Sequence, residues 1–119
     1  MNIRIFQDLK VWQKGHCLVL EIYRNTQNFP RREEFGLVSQ IRRSAVSICA
    51  NIAEGGKKST RDFARFLEIA DGSLEETKYH LILSRDLKYI APGDYEHLME
   101  LCNEIGRMLY ALRKSLLAP

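Results

Sequence analysis

The chain has 119 residues, 45% hydrophobic and 28% charged, with a formal net charge of +3. That length holds one domain, and the composition is that of an ordinary globular protein, which excludes low-complexity, collagen-like and disulfide-scaffold classes. No apolar stretch approaches the length needed to span a bilayer, and Met1 to Phe6 carries no apolar signal core. These features predict a cytoplasmic protein with no membrane partner.

Three prolines and seven glycines leave room for long uninterrupted elements. Apolar residues recur at helical spacing in four segments, predicting helices over about residues 8–27, 33–55, 59–88 and 92–117. In the first, Leu9, Trp12, His16, Val19, Leu20 and Tyr23 form one stripe. Asp8 is positioned to cap its start, and Asn28-Phe29-Pro30 ends it, because the residue before proline resists helical dihedrals. In the second, Leu37 or Val38 leads to Ile41, Ala45, Ile48 and Ile52 at steps of three and four. Gly55-Gly56 then offers a stop through the left-handed backbone that glycine accepts.

Ser59 caps the third segment, with Asp62 in its first turn. Phe63, Phe66 or Leu67, Ala70, Leu74, Thr77, Leu81, Ser84 and Leu87 continue the seam. Pro92 suits the first position of the fourth helix, whose seam runs through Leu98, Leu101 or Cys102, Ile105, Leu109, Leu112 and Leu116. Short loops make the fold class all-α, an antiparallel up-and-down four-helix bundle. Small residues in the second helix (Ser44, Ala45, Ser47, Ala50, Ala53) predict close helix approach, with their hydroxyls and Asn51 satisfying one another.

The charges are unevenly placed. Residues 31–65 carry eight basic groups (Arg31, Arg32, Arg42, Arg43, Lys57, Lys58, Arg61, Arg65) against four acidic ones, while residues 66–104 carry three against nine. A basic face that binds nucleic-acid phosphate is one reading, and complementary faces that meet between subunits is the other. The turn Gly56-Lys57-Lys58-Ser59-Thr60-Arg61 is the leading phosphate candidate, since a helix start attracts anions. It is no P-loop, because Asn51 stands where that motif needs glycine and no strand precedes it. Arg42 and Arg43 point about 100° apart on a helix, so one is free to meet phosphate while the other pairs with Glu54 or Glu76 across helices or subunits. Phe6, Phe29, Phe35, Phe63 and Phe66, with Ile3 and Ile5, provide more apolar surface than a small bundle needs and are candidates for a homo-oligomer interface.

No pattern points to catalysis, a metal or a cofactor. His16, His80 and His97 are scattered, and the Glu76–His80 spacing misses the Glu-x-x-His of di-iron bundles by one. Cys17, Cys49 and Cys102 are unpaired in spacing and read as small buried apolar residues of a reducing compartment.

Several motifs together carry a family resemblance: Phe6-x-Asp8-Leu9-x-x-Trp12; Phe29-Pro30; Phe35-Gly36-Leu37-x-x-Gln40-x-Arg42-Arg43; Ala45-Val46-Ser47-Ile48-x-Ala50-Asn51-Ile52-Ala53-Glu54-Gly55; and Phe63-x-x-Phe66-Leu67-x-x-Ala70-x-Gly72-Ser73-x-x-Glu76. Over roughly residues 4–117 the chain resembles the four-helix-bundle proteins encoded within intervening sequences of large-subunit ribosomal RNA genes. The resemblance implies a barrel-like homopentamer. It also implies a kinship with retroelement accessory proteins that work alongside a reverse transcriptase and nucleic acid, so RNA or DNA is the implied partner. Cys49 stands where that family often has proline, which predicts a straighter second helix.

Overall fold

The computed structural model describes residues 5–119, so the expected arm residue Ile3 lies outside the described residues. Four helices follow in order: α1 (Lys10–Thr26), α2 (Leu37–Gly55), α3 (Thr60–Asp86) and α4 (Pro92–Leu117). Two 3-10 turns, Phe6–Asp8 and Arg31–Glu33, precede α1 and α2. Among the described residues there is no strand. Each helix packs antiparallel to the next, and α1 closes the bundle against α4.

The seams of α2, α3 and α4 fall where periodicity puts them, except at Leu87, which follows the last residue of α3 and is exposed. Ile41, Ala45, Ile48 and Ile52 meet Leu67, Ala70, Leu74 and Leu81, with Leu98, Cys102, Ile105 and Leu109 opposite, all essentially inaccessible to water. The second and third helices are held by more than apolar contact. Ser44 Oγ and Thr77 Oγ1 lie 2.7 Å apart inside the core, and Ser47 Oγ meets Ser73 Oγ at 2.9 Å. Asn51 Nδ2 donates to the Ser47 carbonyl at 2.8 Å. Ser44 and Thr77 are buried and Ser47 and Ser73 half-buried, and each hydroxyl has a partner, which removes most of the cost of taking it from water.

α1 departs from its expected face. The buried stripe is Val11, Gly15, Leu18, Ile22 and Thr26, whereas His16, Leu20 and Tyr23 are exposed. A hydropathy pattern passes over this stripe because two of its five members are not hydrophobic. Gly15 is there for closeness: a Cβ at that position would lie 3.0 Å from Cys49 Sγ, so glycine and cysteine let α1 and α2 meet. Thr26 hides its hydroxyl by donating to the Ile22 carbonyl at 2.7 Å.

The helix ends differ from expectation in three places. Asp8 lies within the first 3-10 turn, Leu9 is the N-cap, and α1 starts without a side-chain cap. The Arg31–Glu33 turn delays α2 until Leu37, whose amide donates to Glu33 Oε1 at 3.4 Å. At the end of α2 no glycine has positive φ. Gly55 is required by packing instead, since a Cβ there would stand 2.6 Å from Phe66 Cβ and 2.9 Å from Phe63 Cδ1.

Among the described residues the left-handed one is Lys88, at φ 64°. The Tyr89 amide donates to the Ser84 carbonyl and the Lys88 amide to the Arg85 carbonyl, both at 2.9 Å. These are the two bonds of a Schellman stop. The start of α3 is as expected, with the Asp62 amide donating to Ser59 Oγ at 3.2 Å.

Candidate nucleic-acid interface and self-association face

Antiparallel packing sorts the eight basic residues by height along the bundle. Arg31 and Arg32 precede α2 and Lys57 and Lys58 follow it, so its 19 residues separate the two pairs by roughly 28 Å. Arg42 and Arg43 belong to the first end, Arg61 and Arg65 to the second. The eight do not form one continuous face.

The end formed by the start of α2 and the close of α3 is heavily tied together. Tyr89 donates its hydroxyl to Glu33 Oε2 at 2.9 Å and accepts from Arg32 Nη2 at 3.5 Å. Arg85 bonds to Asp86 at 3.0 Å and to the Tyr95 hydroxyl at 3.2 Å, over whose ring its guanidinium also lies. His97 meets Glu21 at 3.0 Å. Arg42 does not reach Glu54 or Glu76. Its Nε donates to Thr26 Oγ1 at 3.0 Å, its Nη2 to the Tyr23 carbonyl at 3.4 Å, and its plane covers the Tyr23 ring at 4.3 Å. Glu76 is held by His80 at 3.2 Å.

The opposite end is another matter. Lys57, Lys58, Arg61 and Arg65 are all exposed. The antiparallel register, with Gly106 against Leu74 and Arg113 beside Leu67 and Asp71, brings Arg113 and Lys114 of α4 to the same height. Lys10 at the start of α1 joins them. Six ion pairs occur among the described residues, two of them through histidine, and none involves any of these seven cations. Sequence reasoning passed over Lys10, Arg113 and Lys114 because they lie far from residues 31–65 in the chain. An up-and-down topology puts the start of α1 and the end of α4 beside the α2–α3 turn, and that was the available signal.

The five phenylalanines divide as well. Phe29 and Phe63 are core residues, 8% and 3% exposed, so neither is available to a partner. Phe29 packs against the Tyr89 ring at 5.5 Å, and Phe63 lies against Gly55. Phe66 is half-buried over the same glycine, and Phe6 half-buried against Trp12. Phe35 alone projects fully, at 90% exposure. It borders a groove of about 640 Å³ whose walls include Tyr23, Val38, Arg42, Arg43, Val46 and Ala50.

The outward residues of α2 (Ser39, Arg43, Val46, Ala50, Ala53) are spaced four, three, four and three apart. That is a second seam of the kind that meets another helix, and no described residue covers it at Arg43, Val46 or Ala50.

The thiols also differ from expectation in one case. Cys49 and Cys102 are buried and pushed up to about 12 by desolvation, which keeps them protonated and unreactive near neutral pH. Cys17 is exposed. Among the described residues no helix is long and apolar enough to cross a membrane.

Comparison with known proteins agrees with the resemblance carried by the motifs. A crystal structure of a protein with unknown function from the S23 ribosomal protein family, from Bacteroides thetaiotaomicron, is 33% identical to this chain. It superposes with a TM-score of 0.78 over 87% of this chain and 98% of its own. Among curated proteins no match was found. The family model for the 23S rRNA-intervening sequence protein matches residues 7–111, and the chain therefore belongs to that family.

Proposed function

We propose that this chain is a non-enzymatic, self-associating helical bundle that binds the phosphate backbone of RNA or DNA through its basic end. One observation carries the proposal: Lys10, Lys57, Lys58, Arg61, Arg65, Arg113 and Lys114 gather at one end with no carboxylate partner among the described residues, while at the other end Arg24, Arg85 and His97 are ion-paired and Arg32 and Arg42 are held by Tyr89, Tyr23 and Thr26, leaving Arg31, Arg43 and Lys88. Unpaired cations keep their counterions until a polyanion displaces them, and that release drives backbone binding without sequence preference. The first turn of α3 adds the positive end of the helix dipole.

Salt dependence tests the proposal. Fluorescence anisotropy with structured RNA and duplex DNA is expected to show affinity falling by about two orders of magnitude between roughly 50 and 200 mM salt, the drop for about four phosphate contacts. No binding at the lower salt contradicts it.

A second reading, a protein-interaction scaffold that binds no nucleic acid, is favoured by the outer seam of α2. In both readings the seam takes another copy of the chain. Arg43 then meets the acidic surface of α3 and α4, and the homopentamer that the family resemblance implies is the assembly expected. Sedimentation is predicted to give a mass near five times 13.8 kDa, reduced by Val46→Glu, which sets a charge in the seam. A wild-type monomer contradicts the self-association.

A further inference from the structure

Beside the basic end lies an aromatic ladder on the flank of the core, against which its middle rung Trp12 packs. The Phe6 ring meets Trp12 edge-on, with centroids 5.1 Å apart and planes 67° apart. Trp12 in turn stacks on His16 at 5.0 Å with planes only 8° apart. His16 is exposed and forms the outer rung, and Phe6 and Trp12 are half-buried. The 3-10 turn holding Phe6 is fixed by the Leu9 amide donating to the Phe6 carbonyl at 3.0 Å, and by Gln13 Nε2 donating to the Gln7 carbonyl at 2.8 Å. The ladder is thus built on a braced backbone.

Its position follows from the helix register. Gly15 lies against Ile48 and Cys49, so Trp12, one turn earlier in antiparallel α1, runs beside Ile52 and Ala53. From there to Lys57 is four or five residues, roughly 7 Å along the axis, and from the outer rung His16 roughly 13 Å, the span of one to two nucleotide steps in an extended strand. A flat aromatic surface one to two nucleotides from a cluster of unpaired cations is the combination that holds an unpaired strand, because bases there have free faces to stack and a duplex has none to offer.

We propose that the ligand of the basic end is an unpaired nucleic-acid strand, with a base stacking on the His16–Trp12 ladder while its flanking phosphates lie on Lys57 and Lys58. This rests on the phosphate-binding reading given above and narrows it from any polyanion to single strands.

Trp12 is the only tryptophan in the chain, so its fluorescence reports on the ladder directly. The full-length protein is titrated with a labelled ten-nucleotide oligouridine, a ten-base-pair RNA duplex and inorganic polyphosphate, following oligonucleotide anisotropy and tryptophan emission together. The expected result is that oligouridine quenches Trp12 and binds more tightly than the duplex, while polyphosphate binds without quenching. His16→Ala, at an exposed position, is expected to weaken oligouridine binding about tenfold, the usual scale for removing one stacked base partner, with polyphosphate binding unchanged. Trp12→Phe, which keeps a stacking ring, is expected to retain most of the affinity.

Equal binding of strand and duplex with unchanged Trp12 emission overturns the stacking proposal and leaves the phosphate reading standing. Failure of all three probes to bind overturns both. Loss of polyphosphate binding in His16→Ala also overturns it, since the histidine then acts through the fold or through charge.

Discussion

The two ends of this bundle carry similar numbers of cations and use them in opposite ways. At the end where α2 begins and α3 closes, Arg32, Arg42 and Arg85 are held by Tyr89, by Tyr23 and Thr26, and by Asp86 and Tyr95. There the guanidiniums brace loops and cover aromatic rings. At the other end seven cations from α1, the α2–α3 turn, α3 and α4 stand without ion pairs among the described residues, with Lys114 lying over the Tyr110 ring at 5.9 Å. A cation engaged by the fold has lost part of its ability to attract a ligand, so a count of basic residues overstates the first end and understates the second. What matters for binding is the charge left unneutralised after folding.

Substitutions at each end sharpen the contrast. The largest effect on stability is expected at the basic end. Gly55→Ala puts a methyl 2.6 Å from Phe66 Cβ, forcing the α2–α3 turn open, and is expected to cost about 2–3 kcal/mol in denaturant unfolding. It should also scatter the cations the turn presents. At the tied end, Tyr89→Phe removes the hydroxyl that joins Glu33 and Arg32. A loss of about 1 kcal/mol is expected, with nucleic-acid affinity untouched. Lys88→Gly is expected to act in the opposite direction, raising stability by about 0.5–1 kcal/mol, because the left-handed backbone at φ 64° is strained for lysine and free for glycine. A thermal melt that falls on this substitution would show that the lysine side chain contributes more than its backbone strain costs.

Much of the fold was legible in the sequence, and the reasons are particular. α2, α3 and α4 bury residues such as Ile48, Leu74 and Ile105 that are strongly apolar and regularly spaced, so periodicity located their seams. Ser59 and Pro92 announced helix starts because the first turn leaves amides that a hydroxyl satisfies, or that proline does without. α1 was misread because its buried stripe contains Gly15 and Thr26, while Trp12, Val19, Leu20 and Tyr23 sit on a flank. Hydropathy cannot tell a core stripe from a second apolar face, and a glycine used for close approach carries no hydropathy signal. Gly55 was read as a backbone stop when its task is to make room for Phe63 and Phe66.

The candidate site was half legible. Lys57, Lys58, Arg61 and Arg65 stand together in sequence and in space, but the 31–65 segment is a hairpin rather than a face, and its length carries Arg31 and Arg32 to the far end. The pairing of Arg42 with Tyr23 was invisible because it depends on which side of α1 turns outward.

The most direct test of the account compares charge reversal at the two ends. Lys57→Glu with Lys58→Glu, and separately Arg31→Glu with Arg32→Glu, are introduced into the full chain, and affinity for a structured RNA is measured by anisotropy at about 50 mM salt. Binding at the unpaired end entails a loss of at least about tenfold for the lysine pair, together with a shallower salt slope, and a change within about threefold for the arginine pair, whose charges are remote and partly engaged. Equal losses at both ends, or a larger loss from the arginines, would contradict the claim that binding belongs to the unpaired end.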